Sequence, residues 1–393
     1  MTIARKIETF IEKSSWIRKM FEEGARLKAL HGADKVFDFS LGNPNIPPPS
    51  RFNEALQQAA AAFESRPHGY MPNTGYPEVR QSVAEYLSEE QGVSMSASEV
   101  VMTVGAAGAL NVIFKAVLDP GDEVLTPVPC FVEYGFYADN HGGTLKTVPT
   151  RADFTLDLEA IDAAVGARTK VLLINSPNNP TGQIYSEDSL AALGALLRQK
   201  SRELNRTIYL VSDEPYRKIV FDGAAVPSIF KSYENSMIAT SYSKELSLAG
   251  ERIGFAAVSP ALQSKQSLLD ALALTNRILG FVNAPALMQR VVAGLQGVTV
   301  DISEYKRKRD LLCEGLLDAG YDFVKSPGTF YLFPRCPISD DVQFVKALQE
   351  ELILTVPGSG FYGPGHFRIS FCVEDQTITD AMPGFKRVLD KYR

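Results

Sequence analysis

The sequence predicts an α/β fold, with a mainly parallel sheet covered by helices and a smaller α+β domain beside it. Short apolar runs rich in β-formers occupy residues 143–149, 171–175 and 208–212, and helical stretches such as residues 186–204 separate them. This alternation is typical of parallel sheets, because parallel neighbours need a crossover connection between them. Shorter strands and helices alternate in the C-terminal part, which indicates the second domain.

Composition and charge narrow the class of protein. The chain has 393 residues, more than one hydrophobic core usually serves, so two domains are expected. Its formal net charge of −6 disfavours a nucleic-acid partner, since phosphate backbones attract basic surfaces. The first six residues lack the apolar stretch of a signal peptide, and no apolar run has the length of a membrane span. We therefore expect a cytoplasmic protein with no membrane partner.

The cysteines and histidines do not point to metal chemistry. The four cysteines and four histidines are scattered along the chain, without the close spacing that metal ligands or redox pairs show. The sequence therefore predicts neither a metal site nor a disulfide framework.

The first ninety residues are predicted to hold three helices, at residues 3–31, 51–66 and 77–91, and a short strand at residues 37–42. Between the last two helices, a loop punctuated by glycine and proline carries Tyr70. An exposed tyrosine on such a loop could reach a ligand or a neighbouring chain, although packing against the fold is the commoner role.

A predicted strand at residues 100–105 passes through small residues into a strong helix-forming stretch at residues 106–118. The free N–H groups and the positive dipole end at such a helix start bind phosphate well. The Gly-Ala-Ala-Gly pattern from Gly105 matches neither the P-loop nor the dinucleotide fingerprint, so nucleotide binding is disfavoured. Close helix packing would also explain the small residues, and both interpretations remain open.

Two polar stretches directly follow predicted strands, where α/β proteins place their chemistry. Residues 176–182 contain prolines that fix the backbone around Asn179, and Asp213 follows the next strand. A carboxylate that closes a buried strand is costly unless it is paired, so Asp213 is the more informative of the two. Phe131, also placed after a strand, could stack on a flat ring, with a core position as the alternative.

Lys244 and Arg252 lie among small residues in the stretch from Ser241 to Gly254. A lysine amine can condense with an aldehyde and an arginine can hold a phosphate, a combination that suits pyridoxal phosphate. An isolated Ser-x-Ser-Lys motif is more often a solvated surface turn, so this assignment depends on the other stretches.

Arg368 lies in an apolar predicted strand at residues 367–371. A buried guanidinium is expected to meet a carboxylate, and its planar fork favours a bidentate pair. That carboxylate could belong to an aspartate or glutamate of the chain or to a substrate, and the sequence leaves both open.

In their order along the chain, these stretches resemble the fold-type I pyridoxal-phosphate enzymes, specifically the class I and II aminotransferases of the aspartate aminotransferase family. The motifs that carry the resemblance are Gly69-Tyr70 through Arg80, Gly105-Ala-Ala, Phe131, Asn179-Pro-Thr-Gly182, Asp213 with Tyr216, Ser241-x-Ser-Lys244, Arg252-x-Gly254 and Arg368. The resemblance implies a large cofactor-binding domain over residues 49–290, with a mainly parallel seven-stranded sheet between helices. Residues 1–48 and 291–393 would form the small domain.

The resemblance also implies roles toward the cofactor. Lys244 would bind it covalently and carry the catalytic proton, and Asp213 would hold its pyridinium nitrogen. Asn179 and Tyr216 would hydrogen-bond its phenolic oxygen, and Phe131 would stack on its ring. The phosphate would be held by Gly105, Ala106, Ala107, Ser241, Ser243 and Arg252, and by Tyr70 of the partner subunit in a homodimer with shared active sites.

The implied reaction moves an amino group from an L-amino acid to a 2-oxo acid by a ping-pong mechanism, with aspartate and 2-oxoglutarate as one candidate pair. Arg368 would bind the substrate α-carboxylate, helped by Gly42 and Asn179. Ile17, on the N-terminal helix, would help to close the mouth of the site.

Comparison with the family pattern leaves the substrate open. Some aspartate-specific relatives carry a lysine in the phosphate-loop helix, where this chain has Ala107, and Arg277 lies roughly where another branch places an arginine for the distal carboxylate. A β-lyase or a related amino-acid elimination uses the same cofactor and remains an alternative. A non-catalytic regulator is disfavoured, because the set of chemical residues is complete.

Overall fold

A computed structural model describes residues 2–12, 16–62 and 68–393, with the side chains of residues 12, 17–19 and 21 outside the described part. The helices are α1 Arg5–Glu12, α2 Trp16–His31, α3 Ser50–Ala61, α4 Pro77–Gln91, α5 Gly105–Val117, α6 Glu133–Asn140, α7 Leu158–Ala164, α8 Glu187–Glu203, α9 Ile229–Ser232, α10 Lys265–Ile278, α11 Ala286–Ala293, α12 Ile302–Ala319, α13 Asp341–Glu350 and α14 Asp375–Asp390. The strands are β1 Phe37–Asp38, β2 Val100–Thr103, β3 Glu123–Val128, β4 Thr144–Pro149, β5 Thr169–Asn175, β6 Tyr209–Asp213, β7 Ser236–Ser241, β8 Gly254–Val258, β9 Tyr331–Leu332, β10 Ile353–Leu354, β11 Val356–Pro357 and β12 Phe367–Ser370.

A seven-stranded sheet in the order β2-β8-β7-β6-β5-β3-β4 forms the centre of the large domain. β8 runs antiparallel to both of its neighbours, and the other pairs are parallel. Apolar clusters lie on both faces of the sheet, which explains why β5 and β6 are buried along almost their whole length rather than at alternate residues. The predicted α/β class and the mainly parallel seven-stranded sheet are confirmed.

The parallel strands bring their carboxyl ends to one edge of the sheet. Asn175 at the end of β5 is in register with Asp213 at the end of β6, and Asp213 is in register with Ala239 of β7. Polar side chains that are far apart in the chain therefore meet at this edge.

The smaller domain combines a three-stranded sheet, β11-β12-β9, with the two-stranded pair β1-β10. β1 pairs in parallel with β10, so an N-terminal strand completes a unit built mainly from the C-terminal part of the chain. A separate apolar cluster packs these strands against α12, α13 and α14. The predicted boundaries at residues 48/49 and 290/291 stay predictions.

Several predicted elements are shorter in the structure. Within the predicted helix at residues 3–31 the structure describes α1 and α2, and residues 13–15 between them lie outside the described part. Helix α3 ends at Ala61, and residues 63–66 of the predicted helix at residues 51–66 also lie outside the described part. The predicted strand at residues 37–42 ends at Asp38, and beyond it the carbonyls of Ser40 and Gly42 accept hydrogen bonds from the Arg368 and Lys244 side chains.

Capping residues lie at the ends of several helices. The side chain of Ser186 caps α8 by accepting from the Ser189 N–H, and acidic residues follow it in the first turn. Pro77 occupies the first turn of α4, and Gly92 ends that helix in a left-handed conformation. Of the helices in the described ranges, none is both long enough and apolar enough to cross a bilayer.

Candidate active site

The carboxyl edge of the large sheet opens into a cavity of about 840 Å³. Asp213 at the end of β6 and Ser241 at the end of β7 line it from the large domain. Tyr331 of β9 and Arg368 of β12 line it from the small domain. The cavity therefore lies between the two domains, beyond the strand ends, where ligands bind in open α/β sheets.

Lys244 is largely buried in this cavity, and its ammonium has no carboxylate partner among the described residues. Its Nζ donates to the Gly42 carbonyl oxygen at 2.8 Å and lies 5.5 Å from the centroid of the Phe330 ring. Burial, with smaller contributions from the charges of Arg368 and Arg252, lowers the pKa of Lys244 to about 8. At pH 7 about a tenth of such amines carry no proton, so the group is available as a nucleophile.

Asp213 is the corresponding buried acid. Its Oδ2 accepts a hydrogen bond from the Tyr134 hydroxyl at 2.6 Å, and its Oδ1 is buried without a partner among the described residues. Burial raises the pKa of Asp213 to about 7, although the hydrogen bond from Tyr134 acts in the opposite direction. An unpartnered, buried carboxylate oxygen is costly, which makes this atom a ready acceptor for a ligand N–H.

Asn175 joins the acid to the neighbouring loop. Its Nδ2 donates to the backbone oxygen of Asp213 at 2.7 Å, and its Oδ1 accepts from the Asn179 N–H at 2.6 Å. One buried amide therefore fixes the end of β6 and the turn that carries Asn179.

The phosphate end of the predicted site lies where α5 begins. Ala106 and Ala107 line the cavity in the first turn of α5, together with Arg252. A Cβ on Gly105 would lie 2.9 Å from the Arg252 Nη2 atom, and φ of Gly105 is +79°, so only glycine fits. A Cβ on Gly254 would lie 2.9 Å from the Gly105 Cα. Two glycines thus bring β8 and its arginine against the helix N-terminus.

Arg368 is 1% exposed, and no carboxylate forms an ion pair with it in the part of the chain that the structure describes. Its Nη1 donates to Asn179 Oδ1 at 3.0 Å and its Nη2 donates to the Ser40 carbonyl oxygen at 2.7 Å, while Nε has no partner. Burial lowers the pKa of Arg368. Of the two alternatives that the sequence left open, this geometry disfavours an internal salt bridge.

Two tyrosines bridge the domains beside Lys244. The hydroxyls of Tyr216 and Tyr331 lie 3.1 Å apart, and the Arg368 guanidinium lies 4.3 Å from the Tyr331 ring centroid. Burial raises the pKa of Tyr216, so this hydroxyl stays protonated and can donate a hydrogen bond.

Most of the residues predicted for the site line this one cavity. They are Gly42, Ala106, Ala107, Phe131, Asn179, Asp213, Tyr216, Ser241, Ser243, Lys244, Arg252 and Arg368. Gly105 is not part of the lining but packs against the Arg252 guanidinium. Tyr70 is 93% exposed and does not line the cavity of its own chain. Ile17 belongs to α2, but its side chain is outside the described part.

Sequence reasoning missed several contributors. Asn175 ends a strand just as Asp213 does, and that shared position could have identified it. Tyr134, Tyr331 and the Ser40 carbonyl are brought in only by tertiary contacts. Helix α1 also lines the cavity, through Ile7, Phe10 and Ile11. The resemblance implied that the N-terminal helix closes the mouth of the site, but it named Ile17 and none of these three residues.

The residues present fit pyridoxal phosphate. The cofactor has an aldehyde, a basic ring nitrogen and a phosphate. The cavity offers an amine of lowered pKa in Lys244, an unpartnered carboxylate oxygen in Asp213, and a helix N-terminus beside Arg252. These three features belong to one space, as the cofactor requires.

Known proteins resemble this chain in sequence over almost its whole length. The family described as aminotransferase class I and II matches residues 34–384. The aspartate/prephenate aminotransferase of Thermus thermophilus is 33% identical over 366 residues, which cover 92% of each chain. The aspartate aminotransferase of Thermotoga maritima is 30% identical over 376 residues, covering 93% of this chain and 95% of the relative.

Solved structures agree with these sequence relationships. An amino transferase from Eubacterium rectale superposes with a TM-score of 0.97 at 39% identity and full coverage of both chains. The aspartate aminotransferase of Thermus thermophilus with maleate superposes with a TM-score of 0.87 at 29% identity, over 99% of this chain and 100% of that chain. The chain therefore belongs to the class I and II aminotransferases, which are pyridoxal-phosphate-dependent transferases.

Proposed function

We propose that the cavity around Lys244 is where this aminotransferase moves an amino group from an L-amino acid to a 2-oxo acid, in two half-reactions of a ping-pong cycle. The observation that supports this proposal is the arrangement of Lys244, Asp213 and Arg368. Asp213 and Arg368 are buried and Lys244 is largely buried, all three face one cavity, and none has an oppositely charged partner among the described residues. An amine, an acid and a guanidinium left without counter-charges are suited to a ligand that supplies them.

Lys244 would hold and move protons. When it is bound, pyridoxal phosphate supplies an aldehyde for amines and an electron-accepting ring. Because its pKa is lowered to about 8, the Lys244 Nζ would be able to lose its proton near neutral pH and would be the amine that holds the cofactor through its aldehyde. The same nitrogen would also be the general base and acid for the proton on the substrate Cα.

Asp213 and its neighbours would set the state of the ring. The free Oδ1 of Asp213 would accept the ring N–H and keep that nitrogen protonated. Tyr216 and Asn179 would donate to the phenolic oxygen, and Phe131 would cover one ring face. The phosphate would be held by the first turn of α5, Ser241, Ser243 and Arg252, through backbone N–H groups, hydroxyls and a guanidinium.

Arg368 would orient the substrate. A carboxylate can bind its guanidinium beside Asn179, and the Gly42 carbonyl lies within reach of Lys244. Charge-assisted hydrogen bonds contribute about 1.5–3 kcal/mol each, so an α-carboxylate would be strongly preferred. Aspartate with 2-oxoglutarate is one candidate pair, since several relatives are named aspartate aminotransferases. Ile17 as a further substrate contact stays a prediction.

We also propose a homodimer with shared active sites. Leu274 and Ile278 lie one turn apart on α10 and are 46% and 55% exposed, and Tyr70 is 93% exposed. The Tyr70 loop packs on the end of α10, because Asn276 Nδ2 donates to the Asn73 carbonyl oxygen at 2.7 Å. Exposed apolar surface of this kind marks a protein interface, and Tyr70 could then reach the phosphate in a second copy.

A cytoplasmic location is supported by cysteine usage. Cys130, Cys313, Cys336 and Cys372 are all buried thiols, none of them in a disulfide, as expected in a reducing compartment.

Replacing Lys244 tests the central assignment. After mixing with pyridoxal phosphate and reduction with borohydride, intact-mass spectrometry should find the reduced adduct on the native chain and not on Lys244→Ala, which should also lose transaminase turnover. Lys308→Ala is the matched control, because Lys308 is likewise buried, with a pKa lowered by burial, but does not line the cavity. Full activity in Lys244→Ala would contradict the proposal.

We expect the free energy of unfolding of the cofactor-free protein to fall as the pH rises, because Asp213 is buried and its ionised form is unfavourable in the folded chain. The unfolded chain loses this proton near pH 4, whereas the folded chain keeps it until about pH 7. Between these values the free energy of unfolding should fall by up to about 1.4 kcal/mol per pH unit because of this group alone. Asp213→Asn should therefore equal the native protein near pH 4 and exceed it by roughly 2–4 kcal/mol above pH 7.

Urea unfolding of both proteins, without cofactor, at pH 4 to 8 measures this difference. A gap between the two proteins that does not change with pH would refute the raised pKa.

Arg368 should act on substrate binding. Arg368→Ala should raise the KM for amino acids by about 100-fold or more, because two charge-assisted hydrogen bonds of about 1.5–3 kcal/mol each are lost and each 1.4 kcal/mol is a factor of ten, with a smaller effect on kcat. Arg309→Ala is the control, because Arg309 is also buried but is ion-paired with Asp222 and Asp310. Arg309→Ala should lower the Tm and leave the KM unchanged. An unchanged KM in Arg368→Ala would contradict the prediction and assign Arg368 a structural role.

The dimer can be tested by analytical ultracentrifugation at micromolar concentration. The native protein should sediment with twice the chain mass, and Leu274→Asp combined with Ile278→Asp should shift it toward the monomer by burying charge. Leu317→Asp, on α12 and 61% exposed, should leave the dimer intact. A native protein that sediments as a monomer would rule the homodimer out.

A further inference from the structure

Helix α1 forms part of the cavity wall with apolar side chains. Ile7, Phe10 and Ile11 all line the cavity. The helix is fixed against α6 by the Phe10 and Phe136 rings, whose centroids are 4.8 Å apart, and by an ion pair between Lys6 and Asp139. Lys6, which directly precedes Ile7 in the chain, is therefore paired with Asp139 and does not line the cavity.

Much of the surface that α1 offers is not covered by the rest of the chain. Ile7 is 46% exposed and Ile11 is 57% exposed, although both line the cavity. Phe136 and Leu41 add further apolar surface to the same lining. A ligand group that covered these side chains would gain free energy in proportion to the apolar area removed from water.

Every charged side chain of the lining except Glu133 already has a role in the proposed function. Its cations are Lys244, Arg252 and Arg368, to which the proposed function assigns the cofactor aldehyde, the cofactor phosphate and the substrate α-carboxylate. Besides Asp213, the lining has one other acid, Glu133, whose pKa burial raises. Within the described lining, a second substrate carboxylate would therefore find no free cation and would lie in a cavity that also holds Glu133, which is unfavourable for a buried charge.

We infer that the preferred amino donor carries a large apolar side chain, of the leucine, methionine or phenylalanine kind, which packs under α1, and that aspartate is a poor donor. This inference rests on the proposed function. Helix α1 is then a determinant of specificity, because its isoleucines form the surface that the side chain covers.

Single half-reactions test the preference without any choice of oxo acid. The holoenzyme is mixed with L-leucine, L-methionine, L-phenylalanine or L-aspartate, and the change in the cofactor spectrum gives a second-order rate constant for each. The best apolar donor should exceed aspartate by at least about tenfold, since one methylene in an apolar pocket already discriminates about 10- to 200-fold. An aspartate rate equal to or above the apolar rates overturns the inference but leaves the aminotransferase proposal standing. A spectrum that no amino acid changes refutes both.

Binding of unreactive acids gives a second readout. Calorimetric titration of the holoenzyme should show 4-methylpentanoate and 3-phenylpropanoate binding at least about tenfold more tightly than succinate. Tighter binding of succinate would overturn the inference.

A charge placed on α1 tests the role of that helix. Ile7→Arg should lower the leucine-to-aspartate ratio of rate constants by at least about tenfold, because it removes apolar surface and supplies a cation. Ile3→Arg is the matched control, since Ile3 is equally exposed at 47% and does not line the cavity, and it should leave the ratio unchanged. A ratio that Ile7→Arg does not alter would show that α1 does not set specificity.

Arg277 provides the competing source of a cation. It is exposed and does not line the cavity of its own chain, so it could act only from a second copy. A native preference for aspartate that disappears in Arg277→Ala would overturn the inference and assign the distal carboxylate to Arg277. Unchanged apolar preference in Arg277→Ala is the expected result.

Discussion

Three charged side chains held out of water without counter-charges are the constraint on which the rest of the site depends. Asp213 and Arg368 are buried and Lys244 is largely buried, and burial shifts the pKa of each toward its neutral form. Such an arrangement lowers the stability of the folded chain by itself. It becomes favourable when one ligand supplies a phosphate-bearing ring and another supplies a carboxylate, so binding and reactivity share one physical origin.

The scaffold keeps these groups from finding internal partners. Asn175 fixes the end of β6, and through Asn179 it also fixes the acceptor beside Arg368. Arg309 shows the alternative outcome in the same molecule, because this equally buried guanidinium pairs with Asp222 and Asp310 and does not line the cavity. A buried arginine with carboxylates around it is structural, whereas one that meets only amide and carbonyl oxygens is free to bind a substrate.

Under the proposed function and the further inference, specificity and catalysis would come from different parts of the chain. The groups that would hold the cofactor lie at strand ends and at one helix start, where the backbone is rigid and the glycines permit close approach. The apolar wall comes from α1, a short helix held by one aromatic contact and one ion pair. A peripheral element of this kind can change its side chains, and with them the preferred substrate, without disturbing the reacting atoms.

The sequence by itself determined the alternation of strands and helices, the glycine and proline positions, and the residues that family resemblance placed around Lys244, because these depend on local periodicity and on ordered motifs. It could not show that Arg368 lacks a carboxylate partner among the described residues, that Tyr134 holds Asp213, or that Ile7, Phe10 and Ile11 are the residues of the N-terminal helix that line the cavity. Only the tertiary structure decided these points. Burial and pairing are properties of segments that lie far apart in the chain and meet only when the two domains fold together, and no local pattern encodes such a meeting.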